Sequence, residues 1–161
     1  MENRDKGLIF FTSSGPSAET EGASKVPGVA LLRLASYIDA RGNLTVGEFP
    51  SNLPFKVKRF FFISEVPSGG VRGEHAHFKC GQFLVAITGS VRVLLKGSGQ
   101  SETHTLNTSE LGLFIPPMTW GVQYDYSEDC VLLVLASHEF DKEDYITNYE
   151  SFLKLQKSPH P

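Results

Sequence analysis

The sequence predicts an all-β fold, a sandwich or barrel that carries one C-terminal helix. Short apolar or alternating segments, rich in Phe, Val, Ile and Thr, follow one another at spacings of roughly 8–12 residues. Turns that contain Gly, Pro or Ser separate these segments. Strand and helix patterns do not alternate along the chain, so a doubly wound sheet is not expected.

The predicted strands begin where the composition changes, near residue 28. Each has the length and the apolar content of a strand that is buried on at least one face. The ten segments span residues 29–34, 43–49, 55–66, 73–78, 82–88, 91–96, 102–106, 111–115, 120–126 and 130–137.

A helix is predicted near the end of the chain. Asp141 suits the N-cap, and Asp144 stands at the capping-box position three residues later. Apolar side chains then recur at helical spacing, which favours a helix packed on a sheet over one that binds a partner. This stripe consists of Tyr145, Ile146, Tyr149, Phe152 and Leu153.

The 161 residues are enough for one domain with a sizeable core. Residues 1–27 are predicted to be a flexible N-terminal tail, because residues 12–25 are mostly small and polar. Residues 28–157 form the single predicted domain.

Charge and cysteine content exclude several classes of protein. Lys and Arg number 15 against 18 Asp and Glu, so no overall positive field predicts a nucleic-acid partner. Two cysteines are too few for a disulfide framework. The apolar run 131–136 is far shorter than the about 20 residues that span a bilayer, and we expect neither a membrane segment nor a signal peptide.

Two histidines mark the segment in which chemistry is expected. His75 and His77 are two residues apart, so on a strand both imidazoles point to the same face. Burying two imidazoles side by side disfavours their charged forms and requires hydrogen-bond partners. We therefore favour a functional role over a structural one for this pair.

The spacing around the histidines resembles the first motif of the cupin superfamily, whose members are jelly-roll β-barrels. The matching positions are Gly69, His75, His77 and Gly89, and residues 112–121 resemble a degraded second motif. A metal-binding cupin carries Glu and His where this chain has Gln82 and Gly121. Since two imidazoles and a neutral amide make a poor site for a divalent metal, we predict no metal and no cofactor.

A closer resemblance extends over residues 32–155. It is to the nucleotide-sugar 3,4-ketoisomerases, which act on dTDP-4-keto-6-deoxyglucose. It is carried by Arg41-Gly42-Asn43-Leu44, Lys58-Arg59-x-Phe61-Phe62-Ile63, Arg72-Gly73-x-His75-Ala76-His77, Pro117-x-x-Trp120 and Asp144-Tyr145-Ile146. The resemblance implies a metal-free cytoplasmic homodimer in which His75 and His77 move the protons. A strand near the start of the domain would be exchanged or paired between subunits.

A nucleotide sugar also needs cations for its diphosphate and a surface for its base. Arg41, Arg59 and Arg72 are the candidates for the phosphates, because guanidinium groups match phosphate oxygens. Trp120 is a candidate for stacking on the base or sugar, and packing in the core is an equal alternative. Gln82 is expected on the same face as the histidines if its strand begins where we place it.

Two departures from the family pattern leave the function open. Phe61 or Phe62 replaces a Tyr of many relatives, and Gly121 replaces a polar residue that faces the sugar. Three hypotheses therefore stand: a metal-free sugar 3,4-ketoisomerase, a non-catalytic cupin that binds a nucleotide sugar, and a metal-dependent cupin enzyme.

Overall fold

Antiparallel strands make up most of the structure, a computed structural model that describes residues 19–49 and 53–157. The all-β prediction is confirmed. The strands are β1 (Glu19–Thr20), β2 (Ala30–Arg33), β3 (Ala35–Asp39), β4 (Gly42–Val46), β5 (Arg59–Ile63), β6 (Arg72–His77), β7 (Gln82–Thr88), β8 (Val91–Gly97), β9 (Gln100–Leu106), β10 (Leu111–Ile115), β11 (Trp120–Tyr124), β12 (Val131–Ala136) and β13 (Tyr145–Ile146). One helix, α1 (Tyr149–Lys157), follows them.

Two large sheets carry the fold. The first has the strand order β1-β2-β10-β7-β12-β5, and the second has the order β13-β6-β11-β8-β9. Because most neighbours in each sheet are distant in sequence, most contacts are long-range, as in a Greek-key barrel. The main apolar core lies between the sheets, where Leu84 and Leu132 of the first sheet meet Val93 and Leu95 of the second. All four side chains are almost completely buried.

Strands β3 and β4 form a hairpin that pairs with neither large sheet. Asp39 and Gly42 are the last Cα pair before its turn. Ile38 and Leu44 expose 77% and 50% of their surface on it. The sequence predicted a strand over 43–49, but β3 was not predicted as a separate strand. The residues of β3 lack the alternation of apolar and polar side chains that indicates a half-buried strand.

The C-terminal segment differs from the prediction. Asp141 does cap a turn, but this is a short 3-10 turn over Lys142–Asp144. Tyr145 and Ile146 then pair with β6 as strand β13, and the helix begins only at Tyr149. The predicted helix therefore begins too early. Ile146 is buried as part of a strand paired with β6 and not as part of a helix.

The predicted tail also needs a correction at its end. Residues 1–18 lie outside the described residues, but Glu19–Thr20 pairs with β2 and Val26 is almost fully buried in the main core. Glu102 accepts hydrogen bonds from the Ser24 hydroxyl and the Lys25 amide. Residues 19–27 therefore pack with the domain instead of forming a tail.

Among the described residues, no helix is long and apolar enough to cross a membrane.

Candidate active site

The two histidines of β6 do lie on one face, as predicted. The ring centroids of His75 and His77 are 4.9 Å apart, and the rings meet edge to face. Between them, Ala76 points the other way, into the cluster beneath helix α1. The two-residue period of the strand therefore separates the chemistry from the packing.

A β-bulge aims His75. Gly121 of β11 lies opposite His75, but the next residue, Val122, lies opposite Gly73, so Glu74 is the extra residue. Gly73 and Glu74 both have positive φ, at 82° and 54°. For Glu74 this conformation is strained, and such strain is typical of functional sites. The bulge brings the Gly73 carbonyl within 2.9 Å of His75 Nδ1.

Asp144 holds the other imidazole. Its Oδ2 lies 3.0 Å from His77 Nδ1, and both side chains are buried. The backbone amides of Lys79 and Cys80 donate to the same carboxylate, at 2.7 and 3.2 Å. Asp144 is thus fixed by the strand connection after β6 and orients His77 from behind.

These partners fix the tautomers of both histidines. A backbone carbonyl and a carboxylate can only accept, so each Nδ1 carries the proton and each Nε2 keeps its lone pair. His75 Nε2 has no hydrogen-bond partner among the described residues, whereas His77 Nε2 accepts from the Gln82 amide at 3.2 Å. Both Nε2 atoms are therefore in the form that takes up a proton.

Burial keeps His77 neutral. Desolvation, the neighbouring His75 and Arg59 together lower the pKa of His77 from 6.5 to about 4, although Asp144 acts in the opposite direction. At neutral pH the contact between His77 and Asp144 is therefore a hydrogen bond from a neutral ring to a carboxylate.

A cleft of about 610 Å³ opens beside the histidines. Gln82, Arg72 and His75 line it together with residues from β5, β11 and β13. Gln82 is buried and adjoins His77, so its predicted position on the histidine face is confirmed. A volume of this size is typical of small-molecule sites.

Two of the three predicted arginines lie near this cleft. Arg72 lines it and has no carboxylate partner among the described residues. Arg59 lies on β5, with its guanidinium over the rings of Phe61 and Phe140 at 5.4 and 5.5 Å, and its buried Nε makes no hydrogen bond. Both cations therefore have donors left for an anionic ligand.

Arg41 and Trp120 lie elsewhere. Arg41 is at the tip of the β3–β4 hairpin, largely exposed and paired with Asp39, so it does not reach the cleft. Of the two roles expected for Trp120, stacking on the ligand or packing in the core, its position favours packing. Its ring is buried against Tyr149 and Phe152 of helix α1, at 5.0 and 5.6 Å. It anchors the helix and does not line the cleft.

Tyr145 was missed as a site residue and supplies a phenol to the cleft. Its ring is 4.3 Å from His77 and 5.0 Å from His75, measured between centroids. Its hydroxyl lies 3.5 Å from Arg59 Nη2. Phe61 lines the same cleft without a hydroxyl. The sequence placed Tyr145 on an apolar helical stripe, and the strand pairing that turns it toward the histidines leaves no local signal.

One group of side chains has the composition of a metal site. Atoms of His77, Cys80 and Asp144 lie within 4.8 Å of one another, and all three residues are buried. The Asp144 carboxylate, however, already accepts the three hydrogen bonds described above. The Cys80 thiol donates to the Gly81 carbonyl at 3.4 Å. These donors are committed to the fold and do not fit a resident metal.

Comparison with known proteins identifies the family. The family model described as WxcM-like, C-terminal (FdtA) matches residues 27–157. The chain belongs to this WxcM-like family. A curated relative, TDP-4-oxo-6-deoxy-alpha-D-glucose-3,4-oxoisomerase from Aneurinibacillus thermoaerophilus, is 39% identical over 124 residues, which cover 77% of this chain and 89% of the relative.

Solved structures of WxcM-like relatives share the fold. A mutant of the 3,4-ketoisomerase QdtA from Thermoanaerobacterium thermosaccharolyticum, solved with TDP-4-keto-6-deoxyglucose, has a TM-score of 0.79 and 37% identity, covering 82% of this chain and 96% of QdtA. WlaRA, a TDP-fucose-3,4-ketoisomerase from Campylobacter jejuni, has a TM-score of 0.77 and 30% identity, covering 81% and 96%. The cupin jelly-roll prediction is confirmed.

Proposed function

We propose that this protein is a sugar 3,4-ketoisomerase that moves the keto group of a TDP-linked 4-keto-6-deoxyhexose from C4 to C3. The observation that carries the proposal is the histidine pair, with His75 at the cleft, His77 directly behind it, and each Nδ1–H held by an acceptor. Its relatives of 30–39% identity are named for this reaction or solved with such a substrate. Because the substrate is a nucleotide sugar, we expect the reaction to take place in the cytoplasm.

The reaction needs only proton transfers. The hydrogen on C3 is acidic because the C4 carbonyl accepts the electron pair that the departing proton leaves behind. A base takes this proton, a C3–C4 double bond forms, and the C4 oxygen becomes an enolate. The C3 hydroxyl then gives its proton to the C4 oxygen, its own carbonyl forms, and C4 receives a proton from an acid. One proton leaves the carbon skeleton and one returns, so no cofactor is required.

We assign His77 the role of the base. A carboxylate on Nδ1 stabilises the imidazolium that forms when Nε2 takes a proton, and Asp144 occupies that position. The substrate would displace the Gln82 amide from Nε2. His75 is the second proton carrier, because its Nε2 adjoins the cleft and has no partner among the described residues.

The diphosphate would bind at the unpaired guanidinium groups of Arg72 and Arg59. Neither has a carboxylate neighbour in the described part of the chain that an incoming phosphate would have to displace. Charge-assisted hydrogen bonds of this kind are short and comparatively strong.

We also propose that the protein is a homodimer. The β3–β4 hairpin exposes apolar side chains and pairs with neither sheet, while Phe60 and Phe62 are exposed on the edge strand β5. A second copy of the chain that covered these surfaces would bury the apolar side chains of the hairpin and protect the edge strand β5. In such a dimer the hairpin would place Arg41 near the active site of the partner subunit, where it could contact the substrate.

Product analysis tests the proposed function. Purified protein incubated with TDP-4-keto-6-deoxyglucose is expected to form the 3-keto isomer, as followed by NMR, at a rate that a metal chelator does not change. Tight binding of the sugar nucleotide with no conversion would contradict the proposal and leave a non-catalytic binding protein. Activity that the chelator removes and a divalent metal restores would contradict the metal-free mechanism.

A further inference from the structure

Gln123 is a buried amide that the fold does not use. It lies on β11, two residues after Gly121, and exposes 5% of its surface. Its side chain makes no hydrogen bond to any described residue. Its amide atoms are not among the fully buried atoms that lack a partner, so the amide opens onto a cavity in which water or a ligand can satisfy it.

The position of this amide points to the missing partner. Gln123 lines the large cleft together with Arg72 and His75. It also lines a small cavity of about 10 Å³ behind the histidines. The strand register places its Cα opposite that of Arg72, and its amide lies beside Gly73, between Arg72 and His75 along β6. That is where the hexose of a sugar nucleotide would lie.

The side-chain amide of Gln123 lies close to the backbone of the β-bulge at Gly73. A Cβ built on Gly73 would come within 3.2 Å of Gln123 Nε2, a tight approach, so the glycine leaves room for the amide at this place. Gly73 is also the residue whose carbonyl holds His75 Nδ1. One bulge therefore positions both the imidazole of His75 and the amide of Gln123.

We propose that Gln123 binds the hexose of the substrate, donating an amide N–H to an oxygen at the reacting end of the sugar. The inference rests on the proposed function and adds a specificity-determining residue to it. A primary amide suits this task because it offers two donors and one acceptor and carries no charge that would attract the diphosphate. In the closed cleft an unpaired sugar oxygen would be costly, so the contact discriminates among sugars.

The test separates binding of the hexose from binding of the nucleotide. Gln123→Met keeps the length of the side chain and removes its hydrogen bonds. In a His77→Asn background, which prevents turnover, we expect Gln123→Met to weaken binding of TDP-4-keto-6-deoxyglucose by about 5- to 100-fold. Calorimetric affinity for TDP alone should stay within about twofold. The matched control Gln100→Met, on an exposed position of β9, should change neither.

Three outcomes would overturn the inference. They are unchanged affinity for the sugar nucleotide, which would mean that Gln123 holds only water; an equal loss for TDP, which would place it at the nucleotide; and a comparable loss in Gln100→Met. If Gln123→Met does not fold, Gln123→Glu gives the same test, because an ionised carboxylate cannot donate. If the wild type binds the sugar nucleotide without converting it, the proposed function fails, while the affinity comparison still tests Gln123.

Discussion

Asp144 makes the two histidines chemically different. His75 is held by a neutral backbone carbonyl, whereas His77 is held by a buried carboxylate that stabilises its protonated form. A base that begins the reaction neutral and becomes an imidazolium benefits from the second arrangement. The two rings lie within 5 Å of each other, so the different roles that we propose for them rest on the group behind each ring.

Replacement of Asp144 tests this difference. In Asp144→Asn the amide can donate to His77 Nδ1, which favours the tautomer with the proton on Nε2, the atom that must act as the base. We expect kcat to fall by about 10²- to 10⁴-fold. Steady-state kinetics checks this, with thermal unfolding to confirm that the variant folds. A kcat within threefold of the wild type would contradict the role of Asp144.

At this scale the sequence predicted the histidine pair but not the groups that hold it. His75 and His77 share a face because side chains two residues apart on a strand point the same way, and this spacing can be read directly from the sequence. Asp144 is 67 residues beyond His77, and its neighbourhood resembled a helix start, so no local pattern linked the two. The two roles expected for Trp120 could not be separated for a related reason: an indole that packs beneath a helix and one that stacks on a base have the same sequence signal.

The bulge in β6 is the element on which the site is built. Without the extra residue Glu74, His75 would keep simple strand pairing, and the Gly73 carbonyl would lose its approach to the ring. The motif Arg72-Gly73-x-His75 was recognised in the sequence as a family pattern. Only the structure shows that Gly73 has a left-handed backbone conformation, which the bulge requires.

Two alanine substitutions on facing strands test the bulge. Gly73 has a φ of +82°, and a Cβ there would lie 2.7 Å from the Gly121 carbonyl oxygen. Gly73→Ala should therefore lower the free energy of unfolding by about 1–3 kcal/mol and reduce kcat. Across the pair, a Cβ on Gly121 would meet its nearest neighbour, Leu95 Cδ2, at 3.7 Å, an ordinary contact.

The matched variant is Gly121→Ala. Its free energy of unfolding should stay the same or rise by up to about 1 kcal/mol, because alanine restricts the unfolded chain. Urea unfolding of both variants gives the comparison. Equal stability of the two would show that the bulge is not under the constraint described here.

The whole molecule is a barrel whose general architecture could be predicted. Strand spacing and apolar alternation predicted ten of the thirteen strands in the described residues, because each of those ten carries its own period and turn signals. The C-terminal helix was placed too early, and β1, β3 and β13 were not predicted as strands. Their pairing partners are supplied by tertiary structure, and a two-residue strand such as β13 has no period of its own.

Burial of a neutral histidine makes the whole fold sensitive to acid. The pKa of His77 is about 4 in the folded protein and 6.5 in the unfolded chain. Between these values the unfolded chain binds a proton that the folded protein does not, so the free energy of unfolding falls as the pH falls from about 6.5 to 4. The charged or titratable groups that shift the pKa of His77 are His75, Asp144 and Arg59.

Urea unfolding at pH 7.5, 6.5 and 5.0 measures this dependence. His77→Gln should reduce the loss of stability between pH 6.5 and 5.0, because its side chain does not titrate. The control His138→Gln, at an exposed position, should retain the wild-type loss. The same loss in His77→Gln as in the wild type would mean that other groups cause the acid sensitivity.

The most direct test of the central claim is deuterium incorporation during turnover in D₂O. With TDP-4-keto-6-deoxyglucose, the wild type should place solvent deuterium at C4 of the 3-keto product, and His77→Asn should exchange no hydrogen at C3. His75→Asn should lose isomerisation while it still exchanges the C3 hydrogen of the substrate. Product formed without solvent deuterium at C4, or full C3 exchange in His77→Asn, would contradict proton transfer by this pair.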